Sequence, residues 1–375
     1  MAVKKIEGKS TSALIFTTDN EKTALDQHAE AQIQMLCDTE CCAGNVIRVM
    51  PDVHAGKVGP IGLTMTLNGK AMPAIVSGDI GCGLLAVPVK GKMEFQKLDA
   101  VLRDRVPSGS ANRGEPHPDA DDIDLSELRC ASHIQLDRAY RGLGTLGGGN
   151  HFIEIDENGA NEKYLVIHSG SRNLGQQVCD YYMKAGQEEL KAKGLEIPFE
   201  MTWLEGQLFE DYLHDVQFVC RYAVLNRQIM MKEITKGMKW KTGEELVSIH
   251  NYIGEDGILR KGAISAKEGE PVIIPMNMRD GVILGTGKGN AEWNQSAPHG
   301  SGRVLMRTEV KTSHTVSEFK KEMKGIYSSC IRPDTLDEAP FAYRSIEEMK
   351  PVLKDTVEIT NVLHPLYSFK AGDEK

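Results

Sequence analysis

The chain has 375 residues, of which 41% are hydrophobic, enough apolar surface for one large core or two smaller ones. Its net charge of −9 argues against a protein that coats nucleic acid non-specifically and leaves RNA a place only at a local site. The eight cysteines lack the spacing of a secreted disulfide framework, no apolar run approaches the roughly 18 residues of a membrane span, and the N-terminus has no signal-peptide pattern, so a reduced, cytoplasmic protein is expected.

In chain order, residues 21–36 predict an amphipathic helix: Ala24, Leu25, His28, Ala29, Ile33 and Leu36 fall at helical spacing, with Thr18 and Asp19 as caps. Cys37, Cys41 and Cys42 could open a zinc knuckle, but no second pair follows nearby, and a structural role is the better reading. Short β-type runs between glycine turns follow at 62–67, 74–76, 84–89, 152–155, 164–167, 272–274 and 282–284. The polar segment 107–126 reads as a long surface loop, which raises the expectation that it serves a site. A long helix over about 205–231 should bury Leu208, Tyr212, Val216, Val219, Ala223 and Ile229. Two stretches, 221–241 and 303–324, are locally basic and read as solvated helix faces. With no repeat and no low-complexity linker, the pattern predicts one mixed α/β domain over residues 1–375.

Histidine and cysteine recur where a strand gives way to a glycine-rich turn. In AIVSGDIGCGLLAV, Asp79 and Cys82 stand three apart in a loop that glycines allow to bend tightly, so a carboxylate and a thiolate can converge on one ion. GGGNHFIEI places Asn150 and His151 at the mouth of a strand, YLVIHSGSRNLG ends a strand at His168, and VSIHNY adds His250 and Asn251. One thiolate, one carboxylate and three imidazoles suit zinc, or manganese and iron with open positions, and two metals if the sulfur bridges. Any one of these histidines alone is more often structural than a ligand; the shared strand-end setting is what raises the joint reading. His54 is a weaker candidate, and His28, His117, His133, His214, His314 and His364 read as structural.

His299 lies in SAPHGSGR, where small residues let a phosphate approach the backbone, Arg303 can pair with it, and the imidazole can attack phosphorus. Two glycine motifs are set aside. GLGTLG precedes a strand-like run instead of opening a helix, and GTGKGN lacks the hydroxyl residue and spacing of a P-loop.

The ordered set PDVHAG, GDIGCG, LGTLGGGNHFIEI, HSGSRNLG, YAVLNRQIM, HNY, HGSGR, EAPFAYRSI and PLYSFK resembles the RtcB RNA ligase family over residues 51–370, as a divergent, shorter, bacterial-type member. The resemblance implies a single compact α/β domain with mixed sheets and helices around a deep metal-containing cleft. It implies a GTP- and Mn2+-dependent ligase that joins RNA 3′-phosphate or 2′,3′-cyclic phosphate ends to 5′-hydroxyl ends, in RNA repair or tRNA splicing. Cys82 would bridge two Mn2+ ions, with Asp79 and His151 completing one ligand set and His168 and His250 the other. His299 would be guanylated by GTP. Asn150, Asn251 and Arg303 would hold phosphates, and Phe152, Glu154, Tyr343 and Lys370 would surround the guanine. Glu154 suits that task because a carboxylate accepts from the N1–H and N2–H edge of guanine, which adenine cannot offer. RNA ends and GTP are the implied partners, with an archease-like activator as a further candidate and no membrane.

The chain departs from the family at three places. Ser301 replaces the usual alanine of HGAGR, PMNMRDG at 275–281 stands where a Gly-Ser-Met-Gly stretch is usual, and the final Lys-Gly becomes Lys370-Ala371. Two other readings compete with the ligase. One is a metal-dependent RNA-end phosphatase or cyclic phosphodiesterase that uses the same site without ligation. The other is an RNA-binding factor that keeps only the scaffold, against which the retained His299 and five metal-ligand candidates argue.

Overall fold

The computed structural model describes residues 2–17 and 25–371. One sheet has six strands in the order Ala2–Glu7, Ser12–Thr17, Ile47–His54, Ile61–Thr66, Ile258–Lys261 and Asn251–Ile253. Its one parallel pair is Ser12–Thr17 with Ile47–His54. Parallel neighbours need a crossover, and the helix Gln27–Asp38 lies in this one.

That helix starts at Gln27 because Asp26 caps it, its Oδ1 accepting from the His28 and Ala29 amides at 2.8 and 3.0 Å. The expected caps Thr18 and Asp19, and the expected first turn with Ala24, lie outside the described residues. Ala29, Ile33 and Leu36 are buried as the periodicity requires, whereas His28 is exposed.

The second sheet has eight strands and is antiparallel throughout. Its path runs Lys241–Thr242, Gly83–Lys90, Lys163–Ser169, Phe152–Glu157, Val357–Phe369, Val282–Gly287 and Pro271–Pro275, with Leu246–Ile249 also paired to Gly83–Lys90. Both faces of its centre are covered. Leu85, Val87, Ile153, Ile155, Leu165 and Ile167 pack on helices Phe95–Arg105 and Gly206–Met238. On the other face, Leu84, Ala86, Phe152 and Val166 meet Ile273, Val282 and Leu284. The register is irregular between Pro365 and Tyr367, and such a bulge bends a strand, which suits the return of the far strands over the sheet. Burial on both faces is why GLLAVPV reads as a continuous apolar run instead of alternating.

Register decides where the polar strand ends go. Leu84 and Phe152 both lie opposite His168, and Ile249 opposite Gly83, so Cys82, His151, His168 and His250 all arrive at one end of four adjacent strands. His250 is also the single residue between Leu246–Ile249 of the second sheet and Asn251–Ile253 of the first.

The long helix, Gly206–Met238, buries Tyr212, Val216, Val219, Ala223 and Ile229, with Leu208 half-buried. Two features differ from the sequence reading. Residues 74–76 are one helical turn, Pro73–Val76, because Pro73 has no N–H to give a sheet and its fixed φ suits a first helical position. The 21-residue helix Arg172–Ala192 was not expected, since Gly175 and Gly186 interrupt its apolar face. Gly175 is required by close approach: a Cβ there would lie 2.5 Å from the Gly78 carbonyl oxygen, on the loop that carries Asp79. The whole is an α/β domain of mixed sheets and helices with its polar cluster at the sheet junction.

Candidate active site

Cys82 is fully buried, with its Sγ 3.5 Å from His151 Nε2 and 3.3 Å from His168 Nε2. His168 Nε2 lies 3.3 Å from His250 Nε2. The ligand-capable atoms form two groups, Asp79 with Cys82 and His151, and Cys82 with His168 and His250, each lying within 4.8 Å of one another. Cys82 is common to both.

The backbone sets the imidazole tautomers. His151 Nδ1 faces the Leu146 carbonyl at 2.9 Å and His168 Nδ1 the Asn150 carbonyl at 3.2 Å. A carbonyl only accepts, so each Nδ1 carries the proton and each Nε2 turns a lone pair to the centre. Burial lowers the pKa of all three histidines, well below the ordinary value for His168 and His250, and keeps them neutral. The single S–H of the Cys82 thiol cannot serve both the His151 and His168 lone pairs, and the Asp79 carboxylate beside them only adds acceptors, a surplus that a divalent cation relieves. The donor set therefore fits a divalent metal.

The long helix holds the loops that carry these ligands. Arg227, fully buried, donates to the carbonyls of Gly81 and Ser169 at 3.0 and 2.6 Å. Asn226 donates to the Thr145 and Gly170 carbonyls and accepts from the Thr145 amide. Reading 221–241 as a solvated face was therefore wrong for Arg227. Burial lowers its pKa to about 10, so it stays charged at neutral pH; its charge opposes, without outweighing, the burial and the Asp79 carboxylate that push the Cys82 thiol well above its ordinary pKa.

In front of the cluster opens a cavity of about 370 Å3. Asp79, Asn150, Phe152, Glu154, His168, His250, Asn251, His299, Arg303, Tyr343 and Lys370 all line it, and Cys82 and His151 sit behind its wall. His299 packs 5.0 Å from His250, centroid to centroid. Its Nδ1 lies 2.7 Å from Asp52 Oδ2, which also accepts from the His299 amide at 3.2 Å. The carboxylate holds the Nδ1 proton and leaves Nε2 as the nucleophilic nitrogen. Gly302 makes this possible: its φ is +70°, and a Cβ would lie 2.8 Å from the Asp52 carbonyl oxygen.

At the far end, Glu154 is buried and accepts from Ser368 Oγ at 2.7 Å, and burial raises its pKa to about 7. The Arg303 guanidinium lies 4.7 Å over the Tyr343 ring and donates to its hydroxyl at 2.7 Å. Lys370 Nζ lies 5.4 Å over the Phe152 ring and 3.3 Å from the Asn150 carbonyl. The departures at 275–281 and 301 meet here, since Ser301 Oγ donates to the Met276 carbonyl at 2.8 Å. Met276 and Met278 line the cavity beside Asn277.

Sequence reasoning missed Asp52, Lys261, Arg307 and Glu338. Asp52 stands inside PDVHAG, two residues before the weak candidate His54, which also lines the cavity. Lys261 ends the wholly buried strand Ile258–Lys261, and burial lowers its pKa to about 8; it follows Arg260 in ILRK, and no apolar pattern in the sequence marked it. Segment 107–126 contributes nothing to the lining. It backs the GTLGGGN turn instead, through Gly109 N to Gly147 O at 2.8 Å, Leu146 N to Pro107 O at 2.9 Å and Arg113 Nε to Leu143 O at 3.0 Å. His28, His117, His133, His214, His314 and His364 do not line the cavity.

Fold and donor set together define a metal-binding α/β enzyme. A family model described as tRNA-splicing ligase RtcB matches residues 32–128 and 115–371. The RNA-splicing ligase RtcB of Escherichia coli K12 is 30% identical over 367 residues, spanning 86% of this chain and 90% of that protein. The tRNA-splicing ligase RtcB of Archaeoglobus fulgidus is 29% identical over 399 residues, spanning 81% and 83%. The chain belongs to the RtcB family of RNA ligases. No helix among the described residues is long and apolar enough to cross a membrane.

Proposed function

We propose that the chain is a GTP- and Mn2+-dependent ligase that joins RNA 3′-phosphate or 2′,3′-cyclic phosphate ends to 5′-hydroxyl ends through a histidine–GMP intermediate. The observation that carries this reading is His299, its Nδ1 held by buried Asp52, in one cavity with His168 and His250 of the candidate metal cluster. Asp79, Cys82 and His151 would hold one ion and Cys82, His168 and His250 the other. Bound there, the ions would orient phosphates and neutralise their charge.

His299 Nε2 attacks the α-phosphorus of GTP, an N–P bond forms, and the α–β phosphoanhydride breaks with loss of pyrophosphate. Asp52 stabilises the positive charge that develops on the imidazole. An oxygen of the RNA 3′-phosphate then attacks the same phosphorus, the N–P bond breaks, and the RNA ends in ppG. The 5′-hydroxyl oxygen of the second RNA attacks the RNA phosphorus, loses its proton, and GMP departs. A cyclic end is first opened by water. Asn150, Asn251 and Arg303 hold phosphates in this scheme, and Phe152, Glu154, Tyr343 and Lys370 surround the guanine, with the Glu154 carboxylate accepting from its N1–H and N2–H. The eight cysteines are buried and free of disulfides, which suits a reducing cytoplasm.

One observation favours a second reading, a phosphatase or cyclic phosphodiesterase without ligation: Pro275, Met276, Asn277 and Met278 line the cavity where a Gly-Ser-Met-Gly stretch is usual in the family, and no serine hydroxyl stands among them. Incubation with Mn2+ and α-labelled GTP followed by denaturing electrophoresis separates the two. The ligase gives an acid-labile label on the protein; absence of label overturns it.

A further inference from the structure

Glu338 ends the short 3-10 turn Pro333–Glu338 and is 3% exposed. Its two carboxylate oxygens share four donors between them. Oε1 lies 2.5 Å from Arg307 Nη1 and 3.3 Å from Arg303 Nη1. Oε2 accepts from the Tyr343 hydroxyl at 2.6 Å and from Lys370 Nζ at 3.1 Å. Arg303 and Arg307 follow His299 in one segment, Lys370 lies over the Phe152 ring, and Tyr343, which touches Arg303 directly, stands between the two sets. Burial alone would raise the pKa of this carboxyl, but Lys370, Arg307 and Arg303 outweigh it and hold the value at about 2, so the group is a permanent anion.

A buried anion is a poor direct ligand for a triphosphate, which it repels, and four donors already engage both of its oxygens. Its chemistry is to hold cations in place. Because a carboxylate is planar and rigid, moving the donors on one oxygen displaces those on the other. We propose that Glu338 is a positioning residue that couples the base end of the cavity to its phosphate end, so that Lys370 and Tyr343 take up their places only while Arg303 and Arg307 hold theirs. The enzyme thereby senses base and phosphates as one unit, and a nucleotide that engages a single end is gripped poorly at both. The proposal rests on the GTP-dependent reading above.

The test measures guanylation with Mn2+ and α-labelled GTP. Wild-type protein is assayed first: failure to label defeats the GTP-dependent reading, while labelling leaves the two claims separable. Glu338→Gln keeps the size and loses the charge; it should raise the KM for GTP about 10-fold or more with kcat changed by less than about 3-fold, and Glu338→Asp should recover more of the KM than Gln does. Arg307→Met and Lys370→Met form a double-mutant cycle in the otherwise wild-type protein. Coupling through Glu338 predicts that their combined effect on KM falls short of the product of the single effects by about 3-fold or more, and that this shortfall disappears in the Glu338→Gln background. The proposal is overturned if the two effects multiply independently in the wild-type background, if Glu338→Gln leaves KM unchanged, or if it lowers kcat alone. Should Glu338→Gln fail to fold, the cycle in the wild-type background decides.

Discussion

The cavity has two walls built by opposite means. The metal-cluster wall stands on strand ends whose register is set by backbone hydrogen bonds, with Arg227 and Asn226 of the long helix holding the connecting loops from behind. Its histidines are kept neutral by burial. The facing wall, 275–281, 299–307 and 333–343, is made largely of turns and short helices, and charge holds it: Glu338 with two arginines and a lysine, Asp337 with Arg307 and Lys311, and Asp280 with Arg279. The difference teaches which perturbation each wall resists. Salt screens the exposed ion pairs of the second wall and barely reaches the first, whereas removal of one buried donor should damage the first most.

The strongest test of this contrast is Cys82→Ala. Cys82 is common to both candidate ligand groups, and no oxygen ligand reproduces the softness of its thiolate, so guanylation should fall by about 100-fold or more. The large core should keep the variant folded, as circular dichroism would show. Full guanylation by this variant would remove Cys82 from the site.

His299→Ala should sharpen the contrast by separating the walls chemically. It should form no protein–GMP and fail to join ends from GTP, yet seal a strand supplied with a 3′-ppG end, whereas the metal-cluster variants fail at both. Gel-resolved joining with Mn2+ and no GTP reads this out. Joining of 3′-phosphate ends from GTP at the wild-type rate by His299→Ala would show that no covalent histidine intermediate is used.

Arg227→Met should destabilise the fold by about 3 kcal/mol, because the Gly81 and Ser169 carbonyls lose their buried donor. Arg307 is half-exposed, and a change there should cost stability far less. Urea denaturation of Arg227→Met and Arg307→Met compares the walls directly, and equal losses would erase the distinction.

Smaller effects belong to the base end. Glu154→Ala should weaken GTP use about 10-fold and narrow its preference over ATP; an unchanged ratio of GTP to ATP labelling would mean that Glu154 reads something other than the base. Burial lifts the Glu154 pKa from the ordinary carboxyl range to about 7, so the accepting carboxylate becomes more abundant as pH rises through 7. The KM for GTP should accordingly fall by a few-fold between about pH 6 and 8. A flat profile, or a KM rising with pH, would exclude an ionised Glu154 as the guanine acceptor.

Much of the metal-cluster wall was legible in the residues. Each of Cys82, His151, His168 and His250 adjoins an apolar run, and apolar runs announce strands whatever their partners. Six of the seven β-type runs lie in strands; the seventh, 74–76, became a helical turn because Pro73 weighs more than three apolar residues. The helix Arg172–Ala192 escaped because its glycines, which admit the Asp79 loop, resemble turn signals unless the packing partner is known.

What the order of residues determined by itself is the chemistry available: imidazoles, a thiol and a carboxylate at strand ends, and a histidine followed by small residues and an arginine. Those follow from local rules, since strand periodicity and glycine turns act over a few residues. Only the tertiary structure decided which groups face each other. Asp52 reaches His299 across 247 positions of chain, and Glu338 meets Lys370 from one segment and Arg303 and Arg307 from another. Such pairings depend on sheet register and on burial that strips water from charges until they must find partners, and neither is encoded within reach of a single motif.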